Sequence, residues 1–365
     1  MKLSIQRAKL MEGLQTVQNV VASRSTIQIL SNGLFKAANG RLQITATDLE
    51  ISVQCAVDAN ISEEGETTLP VKRLLSIVRE LSNPEIELEI DSNDIVSLSS
   101  GSSSFKINGL SSRDFPPMPG TDAKNRFSIE QGAFKEMLRK TAYAASLDET
   151  RRVLNGVLLS FKDGKLTMVA TDGRRLALVE HAVDFPEASE TEMILPSKAV
   201  NELLHILGDE GDVVILDQGN QISFQFGDVV MNSRLIDGTY PNYRLVIPSG
   251  TDEHVSVERE LLLSAIRRVS LVTTDKSNST RLTFADNQLT IQTNTQDVGE
   301  AREIIPVKYS GKAIDITFNP EYVMDPLRNL ENDEIFIELT DGHSPALIKC
   351  DQPFLYVLMP LRTSN

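Results

Sequence analysis

The chain has 365 residues, 41% hydrophobic and 24% charged, values ordinary for a globular protein of two or three domains. Its 36 Lys and Arg stand against 51 Asp and Glu, a net charge of −15, which taken alone argues against a nucleic-acid binder with a broad basic face. Only two cysteines, Cys55 and Cys350, occur, and they read as buried thiols rather than a disulfide framework; no apolar run reaches membrane-span length, the N-terminus lacks a signal peptide's apolar core, and the expected compartment is the cytoplasm.

Ser4-Ile5 opens the first predicted strand. Leu10, Leu14, Val17 and Val21 then share one face at helical spacing. Leu42-Gln43-Ile44-Thr45 reads as a strand and leads into Thr47-Asp48, a pair suited to a turn or cap. Pro70 is placed to start a second helix, predicted over 71–81, with Leu74, Ile77, Val78 and Leu81 inward and Lys72, Arg73, Ser76 and Arg79 outward. Residues 85–91 alternate strictly between Glu or Asp and Ile or Leu, the pattern of a half-buried strand whose outward side chains are all acidic. Phe115-Pro116 closes this first series.

The series then starts again. Ser128-Ile129, Phe134, Leu138 and Ala142 repeat the first strand and helix, Leu166-Thr167-Met168-Val169 repeats a strand, and Thr171-Asp172 repeats the turn. Pro196, Val200, Leu203, Leu204 and Leu207 repeat the second helix, Gly219-Asn220 is a turn signal, and Tyr240-Pro241 closes the unit. A third, looser copy runs from Ser256-Val257 through Leu262, Ile266, Val269 and the turn Asp286-Asn287 to Pro320, Met324 and Leu327. The spacing, roughly 125 residues, is that of a whole domain and far exceeds a solenoid repeat. The expected fold is α+β: three copies of one domain, 1–120, 126–250 and 254–365, each with two helices on one side of antiparallel sheet.

Charge follows the elements. The helices carry Lys72, Arg73, Lys135, Arg139, Lys140, Lys198, Arg267 and Arg268, whereas the most regular strand is acidic. A charge run on one helix is usually a solvated face; the same sign in all three repeats points to one shared basic helix surface and an acidic sheet surface. Catalytic signatures are missing. Ser310-Gly311-Lys312 lacks the first glycine of a phosphate loop, Gly101-Ser102-Ser103-Ser104 is a turn rather than a nucleophile elbow, and the four histidines show no metal-ligand spacing. No catalytic residue, metal or cofactor is expected.

Family-specific residues appear at Ala170-Thr171-Asp172-Gly173-Arg174-Arg175-Leu176-Ala177, Thr45-Ala46-Thr47-Asp48-Leu49-Glu50, Leu154-Asn155-Gly156, Asp237-Gly238-Thr239-Tyr240-Pro241-Asn242-Tyr243-Arg244 and Tyr356-Val357-Leu358-Met359-Pro360-Leu361-Arg362. Together, in order and over the whole chain, they resemble the bacterial DNA polymerase III β subunit, the replicative sliding clamp. The resemblance implies a head-to-tail homodimer whose six domains close a ring, helices inside around duplex DNA and sheets outside. Topological retention needs only modest, sequence-independent phosphate attraction, which reconciles DNA with an acidic chain.

Carried over by position, the resemblance implies DNA contacts at Arg24, Lys72, Arg73, Arg152, Lys198 and Lys276. It implies a pocket for a short glutamine- and leucine/phenylalanine-containing motif of the replicative polymerase, clamp loader and repair proteins. That pocket would comprise Leu154, Thr171, Gly173, Arg174, Arg175, Leu176, Pro241, Val246, Val357, Met359, Pro360, Leu361 and Arg362, with Arg175 and Arg362 as a polar edge. Arg174 stands where the family commonly has histidine and Leu245 where it commonly has arginine. The implied dimer seam joins Phe105 and Ile107 to Leu271 and Val272 of the second copy, with Arg268 assisting. Two other readings stay open: an enzyme built on Asp172 with Arg174 and Arg175, and a repeat scaffold that binds proteins without encircling DNA.

Overall fold

Six α-helices lie among antiparallel strands in the computed structural model, which describes residues 1–21, 26–91, 93–120, 122–274 and 278–362. Helix α1 (Arg7–Val17) follows the strand Lys2–Gln6 with no linker and buries Leu10, Gly13, Leu14 and Val17. A Cβ at Gly13 would lie 2.9 Å from Ile44 Cδ1, so the missing side chain lets α1 settle onto the sheet. Helix α2 (Val71–Glu80) follows Pro70 and buries Val71, Leu74, Leu75 and Val78. This differs from the predicted face: Leu75 turns inward while Ile77 is only half-buried, because the stripe begins at Val71 and runs at spacings of three and four.

Helices α3 (Gln131–Thr141) and α4 (Ser197–Ile206) belong to the second repeat. Helix α5 (Arg259–Val269) buries Leu262, Leu263, Ala265, Ile266 and Val269. Helix α6 (Pro320–Asn329) is capped by Asn319, whose side chain accepts from the Glu321 amide at 3.0 Å, and has Pro320 in its first turn, where an amide hydrogen is dispensable.

The chain divides into two compact units, Met1–Lys135 with Asn201–Leu235, and Glu136–Val200 with Ile236–Asn365. The first contains a five-stranded sheet ordered Asn60–Glu63, Lys2–Gln6, Glu85–Ile90, Ile95–Ser100, Ser103–Asn108. Its second sheet has eight strands: Asn125–Glu130, Asp212–Asp217, Gln221–Phe226, Val229–Arg234, Ile51–Asp58, Arg41–Thr47, Gly33–Ala38, Gly65–Leu69. Four of these come from the first repeat and four from the second, joined where Val229–Arg234 pairs antiparallel with Ile51–Asp58.

The second unit repeats the design. Its eight-stranded sheet runs Thr191–Pro196, Gly156–Lys162, Lys165–Thr171, Arg175–Ala182, Phe354–Leu358, Ala346–Lys349, Glu334–Leu339, Glu253–Glu258, with the joint between Arg175–Ala182 and Phe354–Leu358. A four-stranded sheet, Gly299–Pro306, Gln288–Thr295, Thr280–Ala285, Ile314–Phe318, completes it.

The acidic strand behaves as expected: in Glu85–Ile90 the glutamates are exposed and Ile86 and Leu88 buried. The turns at Gly219 and Asn287 take φ of 88° and 54°. Both cysteines are buried and unpaired, and burial pushes the Cys55 thiol up to about 12. Among the described residues no helix is long and apolar enough to cross a membrane.

The basic helix faces need one correction. Lys140 is 3% exposed, ion-paired to Glu136 at 2.5 Å and donating to Gln352, so it leaves the surface that its neighbours were expected to share. Met137 and Thr141 of α3 are buried as well, and the two acceptors, Glu136 and Gln352, make the burial of Lys140 tolerable. Lys135 and Arg139 are half-exposed but pair with Asp209 and Glu331 at 3.1 and 2.7 Å.

Candidate functional site

The repeated Thr-Asp pairs build the same turn twice. In the second unit the Thr171 hydroxyl donates to Arg175 O at 2.6 Å and accepts from the Gly173 amide at 3.1 Å, while Asp172 Oδ1 accepts from the amides of Arg174 and Arg175 at 2.8 and 3.1 Å. In the first unit Thr47 binds Ile51 O and the Leu49 amide at 2.9 and 3.1 Å, and Asp48 Oδ1 binds the amides of Glu50 and Ile51 at 3.0 and 2.9 Å. The third turn residue has positive φ in both, 85° at Gly173 and 76° at Leu49. Glycine removes the strain that leucine bears there. Each turn also receives the strand that joins the next repeat: Met359 N donates to Arg174 O at 2.9 Å, and Arg234 N to Glu50 O at 3.0 Å.

The two copies share a backbone and differ in what covers the adjoining sheet. Beside the second turn, Leu176 pairs with Val357, and both join a buried apolar cluster with Leu154, Tyr240 and Tyr243. At the matching places in the first unit stand Ser52 and Asn232, which also pair. Asn232 is buried and its Oδ1 finds no partner among the described residues. One turn therefore overlooks an apolar surface and its twin a polar one.

Above the apolar surface, side chains remain uncovered. Leu245 is 82% exposed, and Val246, Met359 and Leu361 are exposed as well. The segment after the last strand is tied down by Met359 N to Arg174 O and by Leu361 N to Thr317 O at 2.8 Å. Thus Leu154, Thr171, Gly173, Arg174, Leu176, Pro241, Val246, Val357, Met359, Pro360, Leu361 and Arg362 all lie in the second unit, on or beside these segments. Arg174, Pro241 and Arg362 are solvent-exposed.

Arg175 is used differently. Its side chain is 10% exposed; it pairs with Asp172 at 3.2 Å and with Asp325 of α6, and donates to Tyr143 O at 2.6 Å. Its guanidinium also lies 4.3 Å from the centre of the Tyr322 ring. Burial opposes its charge, but Tyr356, Asp325 and Asp172 outweigh that and raise its pKa. These partners consume the donors that a polar edge would offer a ligand and fasten the turn to α6.

The buttressing role of Arg151 was not legible in the sequence. Arg151 donates to Asp172 O at 2.7 Å, Ser146 Oγ at 3.2 Å and Asp148 Oδ2 at 3.0 Å, buttressing the turn from outside. Its place beside Arg152 hid it, since two adjacent arginines look alike in sequence while Arg152 itself is simply exposed.

The remaining predicted residues are dispersed. Lys72, Arg73 and Lys198 are exposed at the starts of α2 and α4. Arg24 and Lys276 lie outside the described residues. Phe105 is 37% exposed on the outermost strand of the five-stranded sheet, whereas Ile107 beside it is buried. Leu271, in the short helix Ser270–Val272, is 78% exposed, Val272 is half-buried, and Arg268 pairs with Glu303 through two nitrogens. Among the described residues no group of His, Cys, Asp and Glu is arranged to hold a metal ion.

Family comparisons cover this arrangement from end to end. The N-terminal, central and C-terminal domains described for the DNA polymerase III beta subunit match residues 1–119, 128–242 and 244–362 in that order. The chain belongs to the DNA polymerase III beta subunit family. The beta sliding clamp of Escherichia coli strain K12 is 34% identical over 368 residues, covering 99% of this chain and 100% of its own. That of Chlamydia muridarum is 32% identical over 362 residues and 99% of both chains. The crystal structure of the DNA polymerase III subunit beta from Pseudomonas aeruginosa matches over 100% of both chains with a TM-score of 0.94 and 32% identity. A sliding clamp from Bartonella birtlesii bound to griselimycin matches equally completely, at 0.95 and 37%. The protein is thus a three-domain DNA sliding clamp, a non-catalytic processivity factor whose partners are DNA and polymerase.

Proposed function

We propose that two copies of this chain close head to tail into a ring around duplex DNA, with domains 1–120, 126–250 and 254–365, basic helices inward, acidic sheets outward and the cytoplasm as its compartment. Unclosed joints carry this reading. Successive repeats are joined by two strand pairs, Val229–Arg234 on Ile51–Asp58 and Phe354–Leu358 on Arg175–Ala182. The repeat equivalents of a third joint are Ser103–Asn108 and Gly299–Pro306. Both are edge strands with no outer partner among the described residues. A second copy supplies each missing neighbour, which hides two raw edges per joint. The two-residue turns at Gly101 and Gly227 fix the equivalence, and transferring the joint's register sets Phe105 opposite Ala301. Phe105, Leu271, Val298 and Ile304 supply exposed apolar surface for that seam, with Ile107, Val272 and Arg268 alongside.

Within the ring, Arg24, Lys72, Arg73, Arg152, Lys198 and Lys276 attract phosphates without reading sequence. Docking of the replicative polymerase, clamp loader and repair proteins takes place at the apolar copy of the turn, from Leu154 and the 171–176 segment to the 357–362 segment. The contrast with its polar twin supports this, as does a related clamp solved with griselimycin. A protein-only scaffold shares the docking site but has no use for the unclosed third joint. The test is a clamp-loading assay. Protein loaded on nicked circular DNA should remain bound and should run off when the circle is cut; equal loss from circles and linear DNA rejects the ring.

A further inference from the structure

The apolar surface at Leu176 and Val357 does not stop there. Side chains two residues apart on a strand share a face, roughly 7 Å apart. Leu178 therefore follows Leu176, Leu355 follows Val357, and Lys349 follows Leu347, with Leu178 paired to Leu355 and Lys349 in turn paired to Leu355. Leu178, Leu355 and Ile247 are only partly buried and pack against the same cluster as Leu176 and Val357. Over them lies an open groove of about 490 Å³, floored by Leu178, Ile247 and Leu355 and rimmed by Glu180, Arg244 and Lys349.

The rim charges are not equivalent. Glu180 is paired with Lys165 at 2.8 Å, and Lys349 with both carboxylate oxygens of Glu338 at 2.9 and 2.8 Å. Arg244 has no carboxylate partner among the described residues, and its guanidinium carbon sits over the Tyr243 ring, 4.7 Å from the ring centre. Stacking holds the guanidinium in place and leaves its donors free, the usual arrangement for receiving a carboxylate.

Taking the docking reading above as its basis, we infer that this groove is an extension of the docking site. It receives an apolar residue and a neighbouring carboxylate from the stretch of partner peptide that flanks the core motif, the carboxylate going to Arg244. The groove continues the docking surface without a break, its floor is apolar, and its single uncompensated charge is positive.

The test uses the whole protein and fluorescein-labelled peptides carrying the glutamine- and leucine/phenylalanine-containing motif. The core peptide is compared with versions extended by Leu-Asp at its N-terminal or its C-terminal end. One extension should bind about ten-fold tighter, the worth of one apolar contact and one stacked ion pair together. The gain should vanish on Arg244→Glu while the core peptide's affinity stays the same. Replacing Leu-Asp by Leu-Lys should recover the gain on Arg244→Glu alone. No gain at either end, or a gain that Arg244→Glu leaves intact, overturns the inference. Failure of the core peptide itself to bind would instead remove the docking reading on which it rests.

Discussion

Arg175 shows how one residue can be indispensable to a site without facing it. Its charge is buried and met by two carboxylates, a carbonyl and an aromatic face. Lysine keeps the charge but cannot reach all four. Arg175→Lys should lower unfolding free energy by about 3 kcal/mol, seen as a lower denaturant midpoint. Glu202 on α4 raises a different issue. It is 6% exposed, and burial pushes its carboxyl above the ordinary 4.5 against pulls from His205 and Asn19. The folded chain then holds this proton more tightly than the unfolded chain does. Its penalty is absent below 4.5 and grows as pH rises through the raised value. Glu202→Gln should therefore raise Tm at neutral pH by an amount worth on the order of 1 kcal/mol, with the difference closing by pH 4. A difference that persists into acid would assign the effect to packing. The Thr-Asp turns were legible as turns because their chemistry is local. The inward aim of Arg175 was not, since Asp325 comes from another repeat 150 residues away.

At the scale of elements, periodicity located the helices and the acidic strand, because each buried face is written at a fixed spacing. It overran the first helix of two repeats, since α1 ends at Val17 short of Val21 and α3 at Thr141 short of Ala142, and it misjudged which residue edged the α2 face and which cation α3 tucked away. The proposed docking surface was legible through family resemblance alone: a buried end strand such as Phe354–Leu358 looks like any other until its twin is seen to carry Asn232 where it carries Val357. That contrast is testable. Leu176→Ser combined with Val357→Asn writes the polar copy onto the apolar one and should weaken motif-peptide binding at least about ten-fold in anisotropy titrations. Dimer mass should be unchanged. Ending the chain after Leu358 keeps the last strand whole but removes the 359–362 segment, and it should abolish peptide binding while far-UV circular dichroism stays the same.

At the scale of the molecule, three repeats supply three potential joints and the chain closes two. Light scattering across a dilution series should give twice the 40.3 kDa chain mass. Phe105→Ala with Leu271→Ala should shift that to the chain mass without unfolding, because both side chains are already exposed. A dimer insensitive to these changes would move the seam elsewhere. Sheets that cross repeat boundaries have one more consequence. A single repeat expressed alone, residues 1–120 for example, would keep a donor edge at Ser103–Asn108 and expose an acceptor edge at Ile51–Asp58. Each copy could then cap the next without limit, unless the curvature of the joint brought the ends together. In such a fragment polymerisation is the default, and solubility becomes a question of how soon the growing chain meets its own tail.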